Sequence, residues 1–252
     1  SLKQINSCDE NPEEALKTIA NGAINSKHVA IENQFDTATF ISSDKSRAAT
    51  TIYGSLKYFA GEQFILKNNS ERYCSTNLST MIYGNVLNST GSIIPMIWKS
   101  INSNTELTLF SKEMTRFIID VDEAIDLIFK GISYDQVSII PKSKSLKILD
   151  LFEIYKENFN LKFNIGCPRI GEKIHEVLVT KEEMKRLYNS DCGTFYILKP
   201  CRPKFQSDCT QLRKGDYSSK DCLISKSELN QILEKFNYFK PSKFEDSNIW
   251  TI

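Results

Sequence analysis

The sequence predicts an α/β fold, a mostly parallel sheet with crossover helices followed by a smaller mixed α/β part. Three observations carry that reading. Apolar, strand-like runs at 38–42 and 78–83 alternate with helical patterns at 12–33 and 51–66. The first run closes on Asp44-Lys45, at the carboxyl end, where open α/β sheets place their ligands. Beyond position 90 the alternation gives way to shorter, mixed elements.

In chain order, Pro12 suits the first turn of a helix and Asn11 its N-cap. Strand 38–42 leads to helix 51–66, then to strand 78–83 and the turn Gly84-Asn85-Val86. Segment 92–101 reads as a helix with Pro95 in its first turn, and 106–110 as a short strand. Amphipathic helices are expected at 122–130, 145–157, 181–188 and 227–236, with strands at 137–140 and 194–198. The Pro-, Ser- and Cys-bearing stretch 199–222 lacks periodicity and predicts a surface loop. The expected domains are 1–90 and 91–252, the second interleaved with the last strands of the sheet.

Composition narrows the function classes. The 32 basic and 31 acidic residues leave a formal charge of +1, which argues against a nucleic-acid groove or a polybasic membrane anchor. No apolar run reaches the roughly 20 residues of a membrane span. No signal-peptide pattern opens the sequence, and a cytoplasmic location is expected. The 7 cysteines are scattered without a Cys-x-x-Cys pair, and there are only 2 histidines, so metal chemistry is not expected.

The chemistry is concentrated in Tyr53-Gly54-Ser55-Leu56-Lys57, just downstream of Asp44-Lys45. On a helix, Tyr53 and Lys57 share one face. A lysine cation there favours the phenolate and is expected to draw the tyrosine below its ordinary pKa of about 10, which makes a base. The motif alone is common, and its bland reading is a half-buried tyrosine beside a solvated lysine. The bland reading of Asp44-Lys45 is a solvated turn.

The surrounding residues separate these readings. Ser42-Ser43-Asp44-Lys45 followed by Ile52-Tyr53-Gly54-Ser55-Leu56-Lys57 resembles the Ser-Thr-Asp-Lys…Tyr-Gly-x-x-Lys signature of nucleotide-sugar 4,6-dehydratases. These are extended short-chain dehydrogenase/reductases of the polysaccharide-biosynthesis branch, and the inverting UDP-N-acetylglucosamine type is the nearest in pattern. The resemblance continues through Tyr83-Gly84-Asn85-Val86-Leu87, Gly91-Ser92-Ile93-Ile94-Pro95, Glu113-Met114-Thr115-Arg116-Phe117 and Arg169-Ile170-Gly171-Glu172-Lys173-Ile174-His175-Glu176. Departures are Ile82 and Thr90 where the family has arginine, and Ala49-Thr50-Thr51 where it has Pro-x-Asn.

The resemblance implies an incomplete Rossmann-like sheet with a nucleotide-sugar-binding domain, a nicotinamide cofactor (NADP or NAD) and a UDP-sugar substrate. It implies that Tyr53 takes the proton of the sugar 4-hydroxyl, Lys57 tunes Tyr53 and holds the cofactor ribose, Asp44 protonates the departing 6-hydroxyl, and Lys45 removes the C5 proton. Ser43 stands where the family has threonine and is expected to hydrogen-bond the sugar. Arg116 and Arg169 are expected at the diphosphate and uridine, Glu172 at ribose hydroxyls, and Asn85 and Lys3 at the sugar or phosphate. His175 and Trp98 are expected to be structural. Gly-x-Gly-x-x-Gly is absent from the sequence, so the cofactor-loop segment and first strands are expected to be missing from this chain, leaving an open sheet edge. Homo-oligomerisation through the helices near 12–33 and 51–66 is expected. The competing expectations are a non-catalytic fragment or partner subunit, and a UDP-sugar 4-epimerase, which would not need Asp44-Lys45.

Overall fold

The computed structural model describes residues 4–68, 71, 74–168, 171–201, 212 and 214–241. In chain order these form α1 (Ile5–Glu10), α2 (Pro12–Ala15), a π turn (Leu16–Asn21), α3 (Gly22–Glu32), β1 (Thr37–Ser43), α4 (Ile52–Ile65), β2 (Asn77–Tyr83), β3 (Asn85–Val86), α5 (Ile93–Ser103), β4 (Glu106–Leu109), β5 (Thr115–Ile119) and α6 (Val121–Gly131). They continue with β6 (Val137–Pro141), β7 (Lys144–Lys147), α7 (Ile148–Phe159), β8 (Lys162–Ile165), β9 (Val177–Val179), β10 (Leu187–Asn189), β11 (Phe195–Leu198), β12 (Tyr217–Ser218) and α8 (Lys226–Lys235). The chain divides into two units. The first contains Ser1–Gly84, Asp122–Lys142 and Val177–Ser218; the second contains Asn85–Val121, Ser143–Glu176 and Ser219–Ile252.

The first unit is built on a sheet of order β1-β2-β6-β11-β10. β1, β2 and β6 run parallel, and β11 and β10 are antiparallel additions. β2 is buried at all its internal positions, as a central parallel strand requires. β1 forms the sheet edge among the described residues and stays half exposed. Helix α4 crosses between β1 and β2 and lies close to both. Thr80 Oγ1 donates to the Gly61 carbonyl at 3.1 Å, and a Cβ on Gly61 would stand 3.2 Å from Thr80 Cγ2. Cys8, Ala15, Ile19, Ala23, Tyr53, Ala60, Phe64 and Leu78 make the core between the helices and the sheet.

The second unit holds the mixed sheet β3-β5-β7 and the parallel pair β4-β8. Its core packs α5 and α7 against α8 through Ile94, Ile97, Leu151, Tyr155, Leu229 and Leu233. Trp98 is part of this core, donating Nε1 to the Tyr238 carbonyl at 3.0 Å.

Two expected helices change. The stretch expected as helix 181–188 is a 3-10 turn, Glu183–Arg186, followed by β10. The strong helix formers there are overruled by antiparallel pairing of Leu187 and Tyr188 with Leu198 and Ile197. The helix expected from 145 begins at Ile148, because Lys144–Lys147 pairs with β5. Of the expected loop 199–222, residues 202–211 and 213 lie outside the described residues, and its end contains β12 and a 3-10 turn, Ser219–Asp221.

The first turn of α4 tolerates no side chain at position 54. A Cβ there would stand 2.4 Å from the Lys45 carbonyl oxygen and 3.1 Å from Ala49 Cβ. Gly22, also helical, has no neighbour closer than 3.9 Å to such an atom. Gly54→Ala is therefore expected to lower stability by about 2 kcal/mol through overpacking. Gly22→Ala is expected to raise it by about 0.5 kcal/mol through backbone entropy. Thermal unfolding of the two variants measures both signs.

Candidate active site

β1 ends at Ser43, and the chain makes one 3-10 turn, Asp44–Ser46. Ser43 caps that turn: its Oγ accepts from the Lys45 amide at 3.2 Å and donates to Asp44 Oδ1 at 2.9 Å. Ser46 Oγ closes the turn on the Ser43 carbonyl at 2.6 Å. Asp44 is fully buried. Its Oδ1 also receives Lys45 Nζ at 3.2 Å, whereas Oδ2 has no hydrogen-bond partner among the described residues. A buried carboxyl oxygen without a partner is costly, and a ligand hydroxyl would satisfy it.

α4 starts with two side-chain caps. Thr51 Oγ1 accepts from the Gly54 amide at 3.2 Å, and Asp9 Oδ1 accepts from the Ile52 amide at 3.0 Å. Tyr53 and Lys57 then sit one turn apart on the buried face. Lys57 Nζ donates to the Ile41 carbonyl at 3.1 Å and lies 4.8 Å from the centre of the Phe40 ring. Ser43, Asp44, Lys45, Tyr53 and Lys57 are thus carried by one strand end and one helix turn of the first unit.

Their electrostatics differ from the expectation for Tyr53. Burial pushes the Tyr53 phenol above its ordinary value; Lys45 opposes this, and Asp44 and Cys8 add to it. The phenol is raised rather than lowered because desolvation outweighs the cation, and the opposing cation is Lys45 rather than Lys57. Burial also holds the Lys57 ammonium below its ordinary value, with Cys8 opposing.

The ribose–nicotinamide end of a dinucleotide suits these residues. The ammonium of Lys57 has three donors and spends one on Ile41, and the Tyr53 phenol is on the same helix face. No residue described here offers a glycine-rich turn for the pyrophosphate.

In the second unit, Asn85, Arg116 and Glu172 line one cavity of about 500 Å³. Arg116, buried on β5, places Nη2 at 2.6 Å from Glu172 Oε1 and donates Nη1 to the Thr115 carbonyl at 2.8 Å. Its Nε stands 3.8 Å from Glu176 Oε1. The guanidinium fork is thereby oriented before any anion meets it. Asn85 Oδ1 and Ser92 Oγ are buried without a hydrogen-bond partner among the described residues, and both residues line the cavity. Ser92 is the N-cap residue of α5, yet its hydroxyl makes no capping bond. Sequence reasoning missed Ser92; the visible signal was a serine opening a helix directly after Gly91. His175 accepts or donates at Nδ1 with Thr115 Oγ1 at 2.9 Å, and Thr115 meets Ser219 at 2.6 Å, so it is tied into the frame. Lys3 and Arg169 lie outside the described residues.

A parallel-sheet unit with an Asp-Lys turn beside a Tyr-x-x-x-Lys helix, joined in one chain to a mixed α/β unit, is the α/β arrangement that the resemblance to extended short-chain dehydrogenase/reductases implies. The chain belongs to the family described as polysaccharide biosynthesis protein, whose profile matches residues 1–199. An uncharacterized membrane protein of Methanocaldococcus jannaschii is 30% identical over 250 residues, spanning 94% of this chain and 73% of that protein. A UDP-N-acetylglucosamine 4,6-dehydratase (inverting) of Campylobacter jejuni is 29% identical over 203 residues, 79% of this chain and 60% of the dehydratase. A UDP-glucose 4-epimerase of Rickettsia felis is 32% identical over 202 residues, 78% of this chain and 58% of the epimerase. The X-ray structure of Pen from Bacillus thuringiensis superposes with a TM-score of 0.84 at 26% identity, covering 94% of this chain and 74% of that one. The chain therefore spans about three-fifths of the dehydratase and epimerase relatives. Among the described residues, no helix is long and apolar enough to cross a membrane.

The Tyr53 phenolate is expected to appear above pH 10, later than free tyrosine, when absorbance near 295 nm is followed against a Tyr53→Phe reference. Lys45→Met removes the charge that opposes burial, so it should move that titration to still higher pH. A shift to lower pH on removing Lys45 would contradict the assignment.

Proposed function

We propose that this chain carries the reacting and sugar-binding residues of a nucleotide-sugar 4,6-dehydratase acting on a UDP-N-acetylhexosamine such as UDP-N-acetylglucosamine. The observation that carries the reading is Asp44: a fully buried carboxyl, bonded through one oxygen to Ser43 and Lys45 and unpartnered at the other. An epimerisation at C4 needs no acid to discharge water, whereas an elimination does. The curated dehydratase relatives support the same choice, although epimerases match over a similar span.

A nicotinamide cofactor, NADP or NAD, supplies the hydride chemistry when bound, and Lys57 with Tyr53 would hold its ribose. Tyr53 accepts the 4-hydroxyl proton, and Lys45 is the charge that opposes the effect of burial on its phenol. The 4-ketone acidifies the C5 hydrogen, which Lys45 removes in the form of the pair where the proton shared with Asp44 sits on the carboxyl and the amine is neutral. The hydride taken from C4 would return to C6 and the proton to C5, so the net change is loss of one water. Asp44 delivers a proton to the departing 6-hydroxyl through Oδ2, with Ser43 holding Oδ1. Arg116 binds the diphosphate, Glu172 the ribose hydroxyls, and Asn85 with Ser92 the sugar or phosphate oxygens. Lys3 and Arg169 belong to the same binding set by motif position. We assign the chain to the cytoplasm, where nucleotide sugars are made, and to surface-glycan biosynthesis.

The test follows UDP-N-acetylglucosamine by mass spectrometry in the presence of NADP or NAD. The expected product is lighter by one water. Asp44→Asn and Tyr53→Phe should each lower turnover by about 10² to 10⁴-fold. An isomeric product of unchanged mass would make it a 4-epimerase. Neither product from the wild type, whether or not it binds the nucleotide sugar, would make it a non-catalytic fragment or partner subunit.

Assembly is part of the proposal. Leu16, Val29, Ile52 and Phe59 are exposed apolar residues on the helical segments of the first unit. We expect them to be covered in a homo-oligomer. Sedimentation at micromolar concentration should show a dimer or larger for the wild type and a smaller species for Phe59→Glu; a strictly monomeric wild type would refute this.

A further inference from the structure

Arg47 follows the Asp44–Ser46 turn, and its side chain is only 3% exposed. Its Nη1 donates to Glu183 Oε1 at 2.6 Å and to Glu62 Oε1 at 3.4 Å. Arg186 closes the circuit, with Nη2 at 2.9 Å from Glu183 Oε1 and Nη1 at 3.7 Å from Glu62 Oε2. Two guanidinium groups and two carboxylates alternate around a neutral ring that is largely removed from water. The Tyr58 ring covers the Arg47 guanidinium at 5.2 Å. Glu183 Oε2 accepts from the Thr180 amide at 3.1 Å, which anchors the third side of the ring.

The ring joins three pieces of the first unit. Arg47 belongs to the loop that leaves the Asp44 turn, donating its amide to the Asp44 carbonyl at 3.0 Å. Glu62 and Tyr58 belong to α4, the helix of Tyr53 and Lys57. Glu183 and Arg186 belong to the 3-10 turn before β10. Between Arg47 and α4 the loop contains Ala48 with φ of 45°. That left-handed conformation is unfavourable for a residue with a Cβ, and it persists only where the surroundings over-determine it.

We propose that the Arg47–Glu183–Arg186–Glu62 ring is a positioning device, fixing the Asp44–Lys45 turn against the face of α4 that presents Tyr53 and Lys57. The proposal rests on the dehydratase reading only in calling those four side chains reactive. Arg47 itself is a positioning residue. A buried ion pair is a poor source of net stability compared with apolar packing of the same volume. The ring instead specifies geometry: Nη1 of Arg47 is shared by both carboxylates, and Arg186 divides its two Nη atoms between the same pair. Its four members come from distant parts of the sequence, Arg47 and Glu183 being 136 positions apart. The ring thus reports on the assembled unit rather than on local structure.

The test compares the full chain with Arg47→Lys, Arg47→Met and the double variant Arg47→Met/Glu62→Leu. The double variant removes one cation and one anion and leaves the Arg186–Glu183 pair, so it stays folded where Arg47→Met strands a carboxylate. Hydrogen exchange by mass spectrometry should show amides of 44–51 exchanging about tenfold faster in the double variant, with α7 unchanged. Arg47→Lys should fall between, since it keeps the charge and loses the fork. With UDP-N-acetylglucosamine, kcat should fall by up to about 10²-fold while KM stays within about twofold, the mark of misplaced reacting groups. Wild-type exchange in 44–51 together with wild-type kcat in the double variant overturns the proposal. A uniform rise in exchange across the first unit, β2 and α3 included, overturns it too, since that is loss of stability alone. If the wild type shows no turnover, exchange in 44–51 alone decides whether the ring holds the loop.

Discussion

The approach of the first turn of α4 to the Lys45 carbonyl is the contact on which the site depends. At position 54 there is room for a hydrogen and nothing more. That approach brings Tyr53 into the field of Lys45 and Asp44, and it turns a strand end and a helix into one chemical unit. The rest of the first unit keeps the contact in place. Lys57 reaches back to the Ile41 carbonyl and ties the helix to β1. Thr51 and Asp9 satisfy amides at the start of the helix, so its entry is fixed from both sides. None of these bonds is strong singly, at about 1 kcal/mol each. Their effect lies in converging on one short loop.

The same loop shows how buried polarity is managed here. Asp44 is out of water, yet half of its hydrogen-bonding capacity is supplied by its immediate neighbours in sequence, Ser43 and Lys45. The other half is left open. Arg116 in the second unit follows a related logic: carbonyls and carboxylates hold the guanidinium, and the cavity beside it contains two oxygens with no partner. Groups that are satisfied fix geometry, and groups that are not define where a ligand must bring its own hydrogen bonds.

Much of this was legible in the sequence, for reasons that can be located. β1, α4, β2 and α6 declare themselves because their apolar period, caps and lengths agree, with no tertiary contact overruling them. Asp44-Lys45 and Tyr53–Lys57 could be placed together because they sit on consecutive elements. The segment around Met184 could not be read, since its helix-forming residues are drawn into a strand by partners at 195–198. β5, with every residue buried, carried no alternation to mark it and was visible only as the motif around Arg116. Arg47 was silent for another reason: its significance depends on Glu183, 136 positions along the chain.

The Tyr53 result shows why spacing alone misjudges energetics. Placing lysine one turn after tyrosine guarantees a shared helix face, but not that the cation dominates the phenol. In this fold burial holds the Lys57 ammonium below its ordinary value, its Nζ is engaged with the Ile41 carbonyl, and it is not among the charges that act on the phenol. The charge that helps Tyr53 comes instead from Lys45, across the close contact at Gly54. The titration of this phenol therefore depends on the loop that presents Lys45, and that loop continues through Arg47 to a left-handed alanine, Ala48. The titration of Tyr53 is accordingly a property of the tertiary arrangement, which the Tyr-x-x-x-Lys spacing alone does not set.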